Sequence, residues 1–210
     1  MLASDVLERK HGEMLLEMLR AVGTASHGPD AYMAGHSARV AELCDRLARS
    51  LGLSDEARFT LSLAAWFHDI GNLSTPAYIL RKPSTLSEDE MEEIRVHPVK
   101  GADLFTGHPA LAEVTRAIRH HHERVDGTGY PAGLQGEDIP LYSRIILVAD
   151  TYEALTHNRS YRRAVEHAEA LRRLREGAGQ QFDPMLVELF VEVEGNAEPE
   201  PSAEQPDSRE

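Results

Sequence analysis

The sequence has little cysteine, with 1 thiol, Cys44, among 210 residues. A single thiol excludes a disulfide framework and any cysteine-based zinc or iron–sulfur cluster. Long apolar runs are missing too, since no stretch approaches the roughly 20 residues that a membrane-spanning helix needs. The first residues alternate charged and apolar side chains and lack the apolar centre of a signal peptide. We therefore expect a cytoplasmic protein without a membrane segment.

Basic residues are scarce as well. The chain has 22 Lys and Arg against 35 Asp and Glu, which gives a formal charge of −13. Such a surface repels nucleic-acid backbones and anionic lipid, so we expect no DNA partner. An anionic substrate would need local positive charge. The apolar share of 41% is ample for one packed core, which predicts a single folded domain.

The sequence contains no convincing run of alternating apolar residues, the pattern of half-buried strands. Apolar residues recur instead at helical spacing, as in Val40, Leu43 and Leu47 after His36. The sequence predicts an all-α helical bundle over 30–194, preceded by an N-terminal helix and linker over 1–29. Residues 195–210 are acidic and almost without apolar side chains, which predicts a disordered tail. The N-terminal helix is expected to pack on the body or on a second copy, as in a homodimer.

Several helix boundaries are predicted from capping and breaking residues. Gly71 is expected to end the second main helix, and Ser87 with Glu90 forms a capping-box signature that opens a short one. Pro98 is expected to start the next helix. Further helices are predicted before His121, after Ile139-Pro140, from Ala164 to Glu176 and from Pro184 to Val193.

Histidine is abundant, with 11 residues. Histidine or aspartate lies on an apolar face or at an end of four predicted helices. A buried ionisable side chain is costly unless it is paired or bound to a metal, so these positions favour a common metal centre. Imidazole and carboxylate without thiolate suit Fe, Mn, Zn and similar divalent ions, and the ligands exceed what one tetrahedral site needs. Two metals are favoured over one by this set: His36, His68, Asp69, His97, His121, His122 and Asp150.

Each position also has an ordinary interpretation. A lone histidine on a helix face is usually a hydrogen-bonded core residue. His121 and His122 could form a solvated helix end, and Asp150 a buried cap or hydrogen-bond hub. His120, the first of three successive histidines, is expected to be solvated or to support a ligand, because three neighbours on a helix cannot face one centre. The metal interpretation gains weight because the positions occur together in a recognisable order.

That order closely resembles the HD-GYP domain, a branch of the HD-domain metal-dependent phosphohydrolases. The similarity runs over about 30–190, most of the chain. A His-Asp pair alone is weak evidence, whereas the full series is specific. It consists of His36, Phe67-His68-Asp69-Ile70-Gly71, His97-Pro98, His120-His121-His122-Glu123, Asp126-Gly127-Thr128-Gly129-Tyr130-Pro131 and Val148-Ala149-Asp150.

The resemblance implies hydrolysis of a cyclic dinucleotide, most often cyclic di-GMP, to linear pGpG and onward to GMP. It implies two divalent metal ions, commonly Fe or Mn, with Zn, Ni or Mg left open, and attack by a metal-bridging hydroxide. The implied ligands are the seven residues above. Asp69 would bridge the two ions and take part in catalysis.

The resemblance also implies a substrate surface. The Tyr130 ring would stack on guanine or shape the entrance, and the loop 127–131 would contact a diguanylate cyclase domain. Arg159 and Arg162 match basic positions near the phosphates, and Lys82 is a further substrate-binding candidate. The competing interpretations are a plain Gly-Pro turn with Tyr130 as a lid, and ordinary surface basic residues.

The sequence departs from the family at several positions. Asn72 replaces a lysine that relatives place against phosphate, and Glu153 replaces the usual aspartate one turn after Asp150. Both are predicted members of the catalytic machinery, and Asn72 is expected to lower affinity or rate. Tyr32 takes the place of a third-metal glutamate, which favours two metals, and Ser160 replaces a proline. Two alternatives follow: a weak or inactive module that binds a dinucleotide or docks a cyclase, and a phosphohydrolase for another nucleotide.

Overall fold

The computed structural model describes residues 35–82, 84–158 and 163–196. Within these ranges the predicted all-α fold is confirmed, because the backbone is helical and pairs in β fashion only at two isolated bridges. The nine described α-helices are α1 (His36–Ser50), α2 (Asp55–Phe67), α3 (Ala77–Leu80), α4 (Glu88–Arg95), α5 (His97–Asp103), α6 (Ala112–Arg119), α7 (Leu141–Thr156), α8 (His167–Glu176) and α9 (Pro184–Gly195). Short 3₁₀ turns occupy Ile70–Ser74, Pro109–Leu111 and Gly136–Asp138.

Local capping explains several helix starts. The Ser54 hydroxyl accepts the Ala57 N–H at 3.3 Å and begins α2. Ser87 and Glu90 form the predicted capping box of α4, each accepting the other's backbone N–H. Asp183 accepts backbone N–H groups in the first turn of α9. Short polar side chains therefore satisfy backbone donors that a helix start would otherwise leave unpaired.

The core lies where α1 packs on α2 and α7, and α6 on α2, with α8 and α9 completing the bundle. Fully buried aliphatic and aromatic side chains fill it, and each contributes on the order of 1.5–3 kcal/mol by its removal from water. They include Val40, Leu47, Leu61, Ile118, Ile146 and Phe190. No described helix combines the length and the apolar character that crossing a membrane would demand.

The predicted end of the second helix at Gly71 is wrong. Helix α2 already ends at Phe67, and Gly71 lies inside the following 3₁₀ turn. This glycine is needed for packing, because a Cβ there would lie 2.0 Å from the His97 carbonyl oxygen. Helix α5, which begins at His97 and not at Pro98, is thereby held against the His-Asp segment.

Other boundaries differ by a few residues. Helix α8 begins at His167, not at Ala164, because the Val165 N–H donates to the Leu155 carbonyl at 2.9 Å and keeps the preceding residues out of the helix. Helix α9 continues to Gly195, one residue beyond the predicted domain end. The predicted N-terminal helix and the tail from 197 onward lie outside the described residues.

Candidate metal centre

The His-Asp pair stands directly after α2. The Nδ1 atom of His68 lies 2.8 Å from the Ala65 carbonyl oxygen, to which it donates its proton. The opposite ring atom, Nε2, is then a lone-pair acceptor, and it is buried without a hydrogen-bond partner. Because a buried acceptor left unpaired costs about 1–3 kcal/mol, this atom calls for a cation or a donor.

His97 and His121 repeat the same arrangement at two other helix ends. Their Nδ1 atoms lie 2.8 Å from the Ile94 carbonyl oxygen and 2.6 Å from that of Ile118, each three residues back. Since the ring proton of each neutral imidazole is used there, the Nε2 lone pairs point inward. The two Nε2 atoms lie 3.2 Å apart. Two lone pairs at this distance repel each other unless a cation or a proton lies between them.

Asp69 faces these rings with both carboxylate oxygens. One oxygen, Oδ1, lies 3.1 Å from Nε2 of His97 and 4.0 Å from Nε2 of His121. The other, Oδ2, lies 3.6 Å from Nε2 of His68. The carboxylate therefore stands between the rings at two helix ends.

His36 begins α1 and faces α7. Its Nδ1 atom lies 2.7 Å from Oε2 of Glu153, and its Nε2 atom lies 3.4 Å from Oδ1 of Asp150. Glu153 also accepts Nε of Arg39 at 2.8 Å. Burial raises the pKa of Glu153, but the hydrogen bonds and charges of His36 and Arg39 outweigh burial and lower that pKa to about 2.

The protonation states of His121, His122 and Asp69 favour metal binding, whereas burial lowers the pKa values of His36 and His97 but the carboxylates of Glu153 and Asp69 outweigh it and raise them. Burial lowers the pKa of His122 to about 4 and holds the pKa of His121 well below its ordinary value. Burial raises the pKa of Asp69, but the charges of His68 and His97 outweigh it, and the pKa stays well below its usual range. Neutral imidazole and ionised carboxylate are the forms that bind a metal ion.

Two groups of ligand atoms result. In each group all ligand atoms lie within 4.8 Å of one another, and Asp69 belongs to both. Nitrogen and carboxylate oxygen without sulfur fit Fe, Mn or Zn. Six of the seven predicted ligands are brought together in this way: Asp69, His97, His121 and His122 in one group, and His36 and His68 with Asp69 in the other. Asp150 adjoins the second group through its contact with His36.

The predicted Gly-Tyr-Pro loop lies against a ligand. The Tyr130 ring stacks on the His122 ring, with centroids 4.9 Å apart and planes at 29°. The Tyr130 N–H donates to the His122 carbonyl at 3.2 Å, and the peptide bond to Pro131 is cis. A Cβ on Gly129 would lie 2.3 Å from the backbone nitrogen of Arg124, so only glycine allows this approach.

Glu123, for which no role was predicted, holds that loop. Its side chain is 1% exposed and accepts the N–H groups of Ala132 at 2.7 Å and Leu134 at 3.1 Å. It also lies 3.4 Å from Nδ1 of His120. The sequence signal that could have indicated this role is the position of Glu123 directly after His122, because an acid that is buried there needs hydrogen-bond partners. Arg39 was missed too, although it follows His36 by about one helical turn.

The remaining predicted site residues are less well placed or not described. Asn72 lies in the 3₁₀ turn after Asp69, and its Oδ1 atom is buried without a hydrogen-bond partner. Lys82 is engaged by Glu90, with 2.5 Å between Nζ and Oε2. The other predicted positions, Arg159, Arg162, Tyr32 and Ser160, lie outside the described residues.

A helical fold with a His-Asp pair at the centre of clustered histidines defines the HD class of domains. The profile of the HD domain family matches residues 29–186, and the chain belongs to this family. Among curated relatives, a cyclic di-GMP phosphodiesterase of Pseudomonas aeruginosa is 38% identical over 92% of this chain and 47% of its own length. The cyclic di-GMP phosphodiesterase response regulator RpfG of Xanthomonas campestris is 37% identical, over 88% of this chain and 48% of its own.

A third relative, the 3'3'-cGAMP-specific phosphodiesterase 3 of Vibrio cholerae, is 38% identical over 80% of this chain and 36% of its own length. The chain thus spans at most about half the length of these relatives. Among solved structures, a cyclic GMP-AMP specific phosphodiesterase of V. cholerae superposes with a TM-score of 0.68 at 22% identity, covering 86% of this chain and 48% of that one. This likeness supports the fold alone.

Proposed function

We propose that this protein is a metal-dependent phosphodiesterase that opens cyclic di-GMP to linear pGpG, with GMP as a further product. The observation that carries the proposal is the pair of ligand groups sharing Asp69, each with its atoms within 4.8 Å. The names of the relatives support the same chemistry, since two of the three described above are cyclic di-GMP phosphodiesterases.

The residues proposed to hold two divalent ions are His36, His68, Asp69, His97, His121, His122 and Asp150. When bound, such ions supply an activated water and neutralise charge on the phosphate and the leaving oxygen. The chain's own contribution is orientation. The bonds from Nδ1 to backbone carbonyls fix the rings of His68, His97 and His121, so that these three rings are already oriented for a metal ion.

The substrate side of the proposal depends on Tyr130 and on basic residues. The stacking of Tyr130 on His122 supports its assignment to the site entrance, where its ring can receive a nucleobase. Arg159 and Arg162 remain proposed partners of the phosphates. Lys82 is a weaker candidate, because Glu90 already neutralises it.

A product assay tests this proposal. The protein is loaded anaerobically with Fe²⁺ or with Mn²⁺, its metal content is measured, and cyclic di-GMP is added. We expect pGpG to appear by chromatography, and we expect Asp69→Ala to abolish it. His108→Ala, which removes an exposed histidine, is the matched control and keeps full turnover. Metal-loaded protein that leaves cyclic di-GMP intact would contradict the proposal.

A second candidate substrate is 3'3'-cGAMP. The relative named for it is as similar to this chain, at 38% identity, as a relative named for cyclic di-GMP. Both ligands present two phosphodiesters to the same metal centre and differ only in one base. Comparing kcat/KM for cyclic di-GMP, 3'3'-cGAMP and cyclic di-AMP decides between them, because specificity is a ratio of these constants.

A binding role is the further alternative, and Asn72 favours it, because an amide cannot balance phosphate charge as lysine does. In that case the protein would bind cyclic di-GMP without turnover, or dock a diguanylate cyclase domain through the loop 127–131. Calorimetry with cyclic di-GMP and a pull-down with a cyclase domain distinguish these roles. Binding that survives Asp69→Ala in the absence of any product would favour the binding module.

A further inference from the structure

Glu153 was predicted to be catalytic, but its side chain is buried next to His36 and does not reach solvent. Its side chain is 0% exposed, and its Oε2 atom lies 2.7 Å from Nδ1 of His36. A carboxylate enclosed in this way cannot touch a substrate that enters from solvent. It contacts the proposed centre at His36 and acts on it through that ring.

The contact matters because it sets which nitrogen of His36 carries the proton and which carries the lone pair. A carboxylate accepts hydrogen bonds and cannot donate them, so the proton of a neutral His36 ring belongs on Nδ1. Nε2 then carries the lone pair on the side of Asp150, at 3.4 Å from its Oδ1 atom. At His68, a backbone carbonyl accepts the Nδ1 proton instead of a carboxylate.

Arg39 completes the arrangement from the same helix as His36. Its Nε and Nη2 atoms lie 2.8 Å and 2.5 Å from Oε1 of Glu153, while His36 uses Oε2. The two carboxylate oxygens are thus divided between a guanidinium and a ligand ring. Pairing with a guanidinium offsets the large desolvation cost of a buried carboxylate.

From this geometry we infer that Arg39 and Glu153 form a positioning relay that holds His36 as an Nε2 ligand of the group His36, His68 and Asp69. Glu153 is a positioning residue and contacts no substrate. The longer side chain of glutamate, compared with the usual aspartate, serves to reach both partners across the space between α1 and α7. This inference rests on the proposed metal centre and adds to it that one ion depends on the relay more than the other.

The chain offers a close control. Glu194 on α9 is also buried, at 4% exposure, and pairs with Arg46 on α1 at 2.8 and 2.9 Å. In each of the two sites, a buried glutamate on another helix pairs with an arginine of α1. Glu194 lies in neither ligand group. Glu194→Gln therefore measures what neutralising such a pair does to the fold, without touching a ligand.

The test compares Glu153→Gln with Glu194→Gln by Mn²⁺ titration calorimetry and elemental analysis. Removal of a partner that orients a metal ligand lowers metal affinity by about 10- to 100-fold. We expect Glu153→Gln to weaken one of two Mn²⁺ sites by that factor and to leave the other, while Glu194→Gln keeps both. Arg39→Met against Arg46→Met should give the same contrast.

Ring ¹⁵N spectra of the metal-free protein provide a readout that needs neither metal nor turnover. His36 should show a protonated Nδ1 in the native protein and in Glu194→Gln, and lose that state in Glu153→Gln, whose amide can donate to Nδ1. Equal Mn²⁺ affinity and an unchanged His36 spectrum in Glu153→Gln would overturn the relay. If Asp69→Ala also kept its Mn²⁺, the metal centre itself would be wrong, and the relay would be overturned with it.

Discussion

At the scale of single residues, Asp69 differs from the other proposed ligands because it belongs to both groups of candidate ligand atoms. Its two oxygens face different rings, with Oδ1 towards His97 and Oδ2 towards His68. A histidine ligand serves one group, so its loss leaves the other group intact. Replacing Asp69 should therefore affect both metal sites, whereas replacing one histidine should affect one site.

We predict that Asp69→Ala abolishes binding of both Mn²⁺ ions, whereas His121→Ala abolishes only one. Elemental analysis after removal of loosely bound metal gives the stoichiometry directly. His108→Ala keeps the native content, because His108 is exposed and belongs to neither ligand group. Equal stoichiometry in Asp69→Ala and His121→Ala would argue against a shared carboxylate.

Asn72 is the second residue whose identity has a measurable consequence. It lies three residues after Asp69, and its side-chain oxygen has no hydrogen-bond partner. Hydrogen bonds to a charged group are worth roughly 1 kcal/mol more than neutral ones, and 1.4 kcal/mol corresponds to a factor of about ten. An ammonium group at this position should therefore strengthen binding of a phosphodiester.

We predict that Asn72→Lys lowers KM for cyclic di-GMP about fivefold, the factor that ~1 kcal/mol of added interaction provides. Gln180→Lys, which adds the same charge at an exposed position, should leave KM unchanged. Steady-state kinetics at fixed metal content checks both. A similar fall in KM in the two variants would attribute the effect to net charge.

At the scale of elements, most of the proposed ligands lie at or next to helix ends, whereas Asp150 lies within α7. His68 follows α2, His97 begins α5, and His121 follows α6 by two residues. A helix end leaves carbonyl groups without intrahelical partners, and these are the groups that accept Nδ1 of the three rings. The same geometry thus satisfies the backbone and aims the ligands.

The order of motifs could be predicted from the sequence, because each local pattern contains its own histidine or aspartate. The position of His68 beyond the end of α2, and not on its face, was not predicted. The roles of Glu153 and Arg39 could not be predicted, since they depend on a contact between residues 114 positions apart. Glu123 was missed for a similar reason, as its partners Ala132 and Leu134 use backbone N–H groups that carry no sequence signal. Burial, which decides whether a carboxylate is functional or merely solvated, follows from tertiary packing.

The loop 127–134 is a further element with a testable anchor. Glu123 accepts two of its N–H groups and directly follows the ligand His122. We predict that Glu123→Gln speeds amide hydrogen exchange across the loop by roughly 10- to 150-fold, because loss of one charged hydrogen bond costs about 1.5–3 kcal/mol. Mass spectrometry of the peptide covering the loop measures this. Glu137→Gln, an exposed acid nearby, is the control, and equal exchange in both variants would exclude the anchor.

At the scale of the whole molecule, the centre exists only when the chain is folded. Its proposed ligands span positions 36 to 150 and come from α1, the ends of α2 and α6, the start of α5, and α7. The formal charge of −13 does not argue against an anionic substrate, because divalent ions would supply positive charge at the site. When the ions are absent, several ring nitrogens and a carboxylate still face one another in the folded protein, but not in the unfolded chain.

Metal removal should therefore lower the stability of the entire domain. A ligand that binds only the folded state adds about 2.7 kcal/mol at 100 times its Kd. For a chain of this size about 1 kcal/mol shifts Tm by 2–4 °C, so we predict that saturating Mn²⁺ raises Tm by about 5 to 10 °C. Differential scanning calorimetry measures the shift, and EDTA should reverse it. Asp69→Ala should show no Mn²⁺-dependent shift, and a rise in Tm equal to that of the native protein would place the stabilising ion elsewhere.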